Sequence, residues 1–254
     1  MSSPLIRVQK IVAETLRVSR READRWLKEG LITINGQKAK PGDLADPQED
    51  SIKVRGKLLH IRESTPETIL LNKPKGCLCQ LRDDISGRRT LKNVHPELNG
   101  RWVFLAPLDF NADGVILATT DLKFAARLKS LRELPEVFEA KIKGAPGPET
   151  LRRLTKGVVL KTPGEKTRRL FVEAARPKSR LANKSVIEFW CHGLSSRDLR
   201  ELFKLTGFLV ERLTRIRIGH LDRQSIERGK FRRLTGSGLE TLFDQPKLGI
   251  TQFT

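Results

Sequence analysis

Two short apolar runs, Val103 to Leu105 and Val115 to Ala118, constrain this chain more than any other feature. Each is long enough for a buried strand and too short for a helix. The segment between them, Asp109-Phe-Asn-Ala-Asp-Gly114, is rich in turn residues. The pattern predicts two strands joined through a turn, with Asp109 where the first strand gives way to the loop. A carboxylate in that place either bonds its own backbone as a turn-former or is a chemical group held against a cleft by a rigid strand. Taken alone, Asp109 fits the first description; the rest of the chain decides between them.

Upstream, Val8, Ile11, Val12 and Leu16 recur at helical spacing between Arg7 and Leu16. Ser19-Arg-Arg-Glu22 reads as a capping box that opens a second helix, with Ala23, Trp26 and Leu27 on its apolar face and Gly30 as its stop. Leu31-Ile-Thr-Ile-Asn-Gly36 is a strand entering an Asn-Gly hairpin turn, and Ile52-Lys-Val54 is its expected partner. Lys10, Arg17, Arg20, Arg21, Arg25 and Lys28 make the helix pair basic. Residues 62–67 have the composition of a linker.

A second domain opens at Thr68-Ile-Leu-Leu-Asn-Lys-Pro-Lys-Gly76, an apolar strand running into a basic turn that carries Lys73 and Lys75. The loop Arg82 to Thr90 offers Arg88 and Arg89 to phosphates. Asp121 to Leu131, Pro148 to Thr155 and Arg197 to Leu205 read as helices. Val137 to Ile142, Val158 to Leu160, Arg169 to Val172, Ser185 to Trp190 and Val210 to Ile218 read as strands. Strands outnumber helices and most connections are short, which predicts an α+β domain built on a mainly antiparallel sheet. The expected division is a helix-hairpin module over 5–61, a linker over 62–67, a larger domain over 68–245 and a tail over 246–254.

Charge narrows the partner. Lys+Arg number 49 against 30 Asp+Glu, a formal charge of +19 spread along the whole chain. Solubility needs far less, so a polyanion is expected, and nucleic acid before a lipid surface because no long apolar span or lipidation signal is present. Cys77, Cys79 and Cys191 with four scattered histidines show no zinc spacing, and an odd cysteine count fits reduced thiols. The N-terminus carries no secretory signal. The expectation is a cytoplasmic monomer, an organelle being the alternative, with no membrane or metal partner.

Ser19-Arg-Arg-Glu-Ala23 and Ile32-Thr-Ile-Asn-Gly36 resemble the small RNA-binding module named after ribosomal protein S-four, over roughly residues 5 to 60. Asn72-Lys-Pro-Lys-Gly76, the block Leu108-Asp109…Asp113-Gly-Val-Ile-Leu117…Thr120-Asp121, and Arg197-Asp-Leu-Arg200…Gly207…Arg215-Ile-Arg-Ile-Gly219 resemble, in order, the ribosomal RNA pseudouridine synthases that carry such a module in front, above all the large-subunit branch. The resemblance implies a pseudouridine synthase catalytic domain, ribosomal RNA or a pre-ribosomal particle as partner, and no cofactor.

It also implies roles. Asp109 matches the essential carboxylate and Arg200 the basic residue that pairs with it. Leu199 matches an aliphatic residue packing on the base, and Phe138 stands where most relatives stack a Tyr on the uracil. Lys10, Arg20, Arg21, Arg25, Lys73, Lys75, Arg88, Arg89, Arg197, Arg215 and Arg217 are the expected RNA contacts. The chain departs from the pattern at Ala106-Pro107, where Gly-Arg is usual, and at Glu136, where a Lys is common and an acid puts the wrong sign beside phosphate. His192 and Glu201 also differ, and the loop Leu194-Ser-Ser196 is one residue longer than usual. Three readings stay open: an active synthase, a non-catalytic RNA-binding or ribosome-assembly protein that kept the fold, and a general nucleic-acid binder.

Overall fold

The computed structural model describes residues 5–16, 18–61, 65–98, 102–130, 134–161, 167–224, 226–235 and 239. The chain divides into two compact units at Pro66/Glu67, a short segment around Glu97 and Trp102 grouping with the first.

The first unit begins with β1 (Ile6–Arg7), α1 (Val8–Thr15) and α2 (Arg20–Lys28), then β2 (Ile32–Ile34), β3 (Gln37–Lys38), β4 (Leu44–Ala45), β5 (Ile52–Val54) and β6 (Lys57–Leu58). Val8, Ile11 and Val12 of α1 bury against Ala23, Trp26 and Leu27 of α2 and against Ile32 and Ile52. That is the apolar face expected from the spacing. Half of the expected capping box forms. The Ser19 hydroxyl accepts from the Glu22 amide at 3.1 Å, while the Glu22 carboxylate meets Arg25 at 3.4 Å. Gly30, at φ 67°, closes α2, its amide and that of Leu31 reaching back to the Leu27 and Trp26 carbonyls. Asn35 and Gly36 both take positive φ, as the tight hairpin turn between β2 and β3 requires, and β5 pairs with β2.

The second unit contains β7 (Thr68–Lys73), α3 (Leu91–Val94), β8 (Val103–Leu105), β9 (Ala112–Thr119), α4 (Leu122–Ser130), β10 (Glu136–Lys143) and α5 (Pro148–Lys156). It continues with β11 (Val158–Leu160), β12 (Arg168–Leu170), β13 (Ala174–Leu181), β14 (Lys184–Cys191), α6 (Ser196–Leu205), β15 (Val210–Ile218), β16 (Leu221–Asp222) and β17 (Phe231–Leu234). One sheet runs β13-β14-β10-β15-β9-β7-β17, with β8 added on β9 and β16 on β15. All its pairings are antiparallel except β9 with β15.

That parallel contact revises one expectation. Ala112 to Gly114 had read as part of the turn, yet they belong to β9 and lie against Leu213 to Arg215. Polar Asp113 hid the strand because its carboxylate is satisfied inside it, by Thr214 Oγ1 at 2.5 Å and by Arg212 at 2.6 and 3.0 Å. Gly114 is at φ 113°, and a Cβ there would lie 2.0 Å from the Arg215 carbonyl oxygen. Only glycine allows so close an approach. Three strands of this sheet went unpredicted: β13, whose Pro177 sits at a register shift on the sheet edge, β16 and β17. The expected linker residues 62–64, the end of the α4 segment at Leu131, Arg17 and the tail 246–254 lie outside the described residues.

Candidate active site

The turn from Ala106 to Asn111 carries Asp109 between β8 and β9. Residues on both sides of it are stitched to the segment that follows β7, Gly76 to Cys79: the Gly76 amide donates to the Phe110 carbonyl at 2.8 Å and the Cys79 thiol to the Leu108 carbonyl at 3.2 Å. The Asp109 amide donates to Ser196 Oγ at 3.4 Å, which ties the turn to the start of α6. That helix is fixed by a capping box in which Ser195 and Asp198 bond each other reciprocally, Asp198 also meeting Arg168 at 2.8 Å.

One helical turn beyond Ser196, on the same face, stands Arg200. Its Nη1 and Nη2 donate to the carbonyls of Val210 and Asn111 at 3.0 and 3.1 Å, and its Nε faces Asp109 Oδ2 at 3.7 Å. Both side chains keep partial solvent contact, so the attraction itself is of the order of 1 kcal/mol. The backbone clamps, more than the charge, fix where the guanidinium points. Asp109 Oδ1 is buried and has no protein hydrogen-bond partner among the described residues.

Next to this pair opens a cleft of about 290 Å³, lined by Ala106, Pro107, Leu108, Glu136, Phe138, Gly193 to Ser196 and Arg215. Phe138 forms an apolar wall, its ring stacked on Phe189 with centroids 5.7 Å apart and planes 8° from parallel. Behind it Arg215, only 2% exposed, ties β15 to three pieces of the fold, β9, the Asp109 turn and β10. Its Nε donates to Val115 O at 2.7 Å, Nη2 to Ala106 O at 2.6 Å and Nη1 to Glu136 Oε2 at 3.2 Å, and its guanidinium carbon lies 5.7 Å from the Phe138 centroid. Burial pushes the Glu136 carboxyl above its usual range, against the pull of Arg215.

This geometry corrects several expectations. Arg215 is not a surface RNA contact; it braces the turn that carries Asp109. Glu136 does not face phosphate, because its carboxylate is turned inward to neutralise Arg215. Lys73 is buried too, its ammonium donating to Ala112 O at 2.6 Å and Pro74 O at 3.1 Å beneath the Asp109 turn. Burial lowers its pKa, with Cys79, Cys77, Asp109 and Asp113 pulling it back up. Leu199 is fully buried in α6 and lines no part of the cleft. Burial raises the Cys77 and Cys79 thiols.

The remaining expected RNA contacts are accessible. In the second unit Lys75, Arg88, Arg89, Arg197 and Arg217 are exposed, Arg88 being held by Asp84 at 2.9 Å. In the first, Lys10 and Arg20 line a depression of about 430 Å³ with Arg7 and Asp24, while Arg21 and Arg25 are exposed on α2. Sequence reasoning missed Ser195, Ser196 and Asp198, although Ser195-Ser-Arg-Asp198 has the spacing of a helix cap. Among the described residues no cluster of His, Cys, Asp or Glu could hold a metal, and no helix is long and apolar enough to cross a membrane.

A mixed sheet carrying one carboxylate beside a helix-borne arginine, preceded by a basic helix-hairpin unit, defines the class, and comparison with known proteins agrees. The S4 domain matches residues 6–51. A crystal structure of a pseudouridylate synthase superposes with a TM-score of 0.59 over 93% of this chain and 99% of that one, at 24% identity, a likeness of fold. Ribosomal large subunit pseudouridine synthase B of Bacillus subtilis is 30% identical over 90% of this chain and 92% of its own length. An uncharacterized RNA pseudouridine synthase of Aquifex aeolicus is 28% identical over 94% of both. The Pseudomonas aeruginosa large-subunit enzyme B, 29% identical, is longer, this chain spanning 62% of it. The chain belongs to the ribosomal large subunit pseudouridine synthase B family.

Proposed function

We propose that this chain isomerises a uridine of large-subunit ribosomal RNA to pseudouridine, with Asp109 as its reacting carboxylate. The observation that carries the reading is the Arg200–Asp109 pair at 3.7 Å beside a cleft walled by Phe138. The reaction breaks the bond between ribose C1′ and uracil N1, turns the base, and joins C1′ to C5. The C5 proton leaves and N1 gains one, so nothing is oxidised and no co-reactant is consumed. A carboxylate can stabilise or trap the sugar cation that the first step exposes, or remove a proton from it. Arg200 orients the carboxylate from its Oδ2 side; Oδ1 is buried without a protein hydrogen-bond partner among the described residues, so substrate meets the carboxylate at Oδ2.

Phe138 supplies a face for the base and no hydroxyl, so proton transfer at C5 falls to Asp109 or to water. Residues 5–61 act as the RNA-docking module and 68–245 as the catalytic domain, working as a monomer in the cytosol on ribosomal RNA or its precursor particle. The departures at Ala106, Pro107 and Glu136 support an active site rather than a relic, because Glu136 is matched by a buried arginine that also holds Ala106. The test is to delete the gene, map pseudouridines in both ribosomal RNAs by carbodiimide treatment and primer extension, and complement. One large-subunit site should vanish, return with the native gene, and stay absent with Asp109→Asn. If every site survives the deletion, the chain is an RNA-binding protein without this activity.

A further inference from the structure

Between Cys79 and Thr90 the second unit extends a loop whose tip is Ile85. Single exposed apolar side chains are ordinary, and Leu5 and Leu209, at 63% and 68%, need no role. Ile85 differs in three ways. Its relative exposure of 107% means that the side chain touches nothing in the fold. The loop beneath it is nevertheless pre-ordered around Asp84, which accepts from the amides of Ser86 and Arg88 at 3.2 and 3.3 Å and from Arg88 Nε at 2.9 Å; the Asp84 carbonyl accepts from Gly87 at 2.9 Å. The root is fixed at the catalytic turn. Leu78 exchanges bonds with Arg89 and Leu91 at 2.9 and 3.0 Å, while Gly76 and Cys79 bond Phe110 and Leu108, the residues on either side of Asp109.

An extended chain advances at most about 3.4 Å per residue, so the tip stands within about 20 Å of Cys79, a span of a few stacked bases. Arg82, Arg88 and Arg89 are exposed on the same loop, where they can meet the phosphates on either side of such a tip. A pre-ordered apolar tip between cations is the form of side chain that enters a base stack and holds it open. Extruding a base leaves a gap that something must fill.

We propose that Ile85 is a wedge that enters the RNA stack beside the target uridine and occupies the space that the extruded nucleotide vacates. The proposal rests on the pseudouridine synthase reading for its substrate. It is tested by single-turnover pseudouridine formation on two forms of a large-subunit ribosomal RNA fragment, one with the target in its native stack and one with its neighbours deleted so that it is already unstacked. Ile85→Ser should slow the first substrate roughly tenfold or more and leave the second within about twofold, and Ile85→Leu should restore the first. In parallel, 2-aminopurine placed beside the target should brighten on binding the native protein and the Asp109→Asn variant, and fail to brighten with Ile85→Ser. Equal rates for Ile85→Ser and native protein on both substrates, or equal losses on both, overturn the wedge, as does unchanged 2-aminopurine brightening with Ile85→Ser. Absence of pseudouridine with the native protein counts against the functional reading alone, because the fluorescence arm still reports on Ile85.

Discussion

Asp109 is distinguished from an ordinary turn aspartate by the way Arg200 reaches it. Three nitrogens of that guanidinium have separate tasks, two on the carbonyls of Val210 and Asn111 and one toward the carboxylate. A lysine has one nitrogen and no planar fork, so Arg200→Lys keeps the charge but cannot hold both carbonyls and face Asp109 at once. We predict that Arg200→Lys folds and binds RNA as the native chain does while its single-turnover rate falls by about a hundredfold, most of it in kcat and little in KM. A lysine variant within about twofold of native activity would mean that charge alone suffices. The same economy governs Arg215, whose position is set by Val115, Ala106 and Glu136 together. Ala106 stands at φ 46°, a left-handed conformation that costs a non-glycine residue about 1–2 kcal/mol, and the Arg215 bond to its carbonyl is one of the contacts that hold it there.

At the scale of elements, the turn carrying Asp109 is positioned by the contact of β9 with β15, and that contact depends on a missing side chain. A methyl group at Gly114 would sit 2.0 Å from the Arg215 carbonyl oxygen, in a backbone conformation that L residues avoid. Gly114→Ala is therefore predicted to separate the two strands and destabilise the protein by about 3 kcal/mol or more, seen as a drop in urea midpoint and a loss of activity even where folded protein is recovered. A variant as stable as the native chain would show that the strands can part locally without cost. This contact also marks where sequence reasoning stopped. Periodicity located β7, β10, β14, α6 and β15 because each follows its apolar pattern, and the resemblance to the pseudouridine synthases brought Asp109 and Arg200 together. It could not locate the start of β9, since Asp113 reads as a turn residue until Arg212 and Thr214 are seen to satisfy it across a parallel pairing that local pattern does not encode. For the same reason Lys73 and Arg215 looked like RNA contacts: a basic residue reads as solvent-facing unless its buried acceptors are known.

Over the whole molecule, the net charge of +19 makes RNA affinity a question of which cations reach phosphate. Each phosphate neutralised by the protein adds about 0.7 to 0.9 to the slope of log K against log salt. Lys73 and Arg215 are 0% and 2% exposed and release no counterions on binding, so they belong outside that count. Arg20 and Arg21, exposed at the start of α2, belong inside it. We predict that the double substitution Arg20→Ala and Arg21→Ala lowers the slope by about 1.4 to 1.8 and weakens binding by a similar factor on any structured RNA of equal length. Lys73→Met should leave the slope unchanged while altering the melting temperature. Filter binding of a large-subunit ribosomal RNA fragment across roughly 50 to 200 mM salt measures both. If the slope of Lys73→Met falls as far as that of the double variant, Lys73 reaches phosphate in the complex, and the turn beneath Asp109 must then open to let it out.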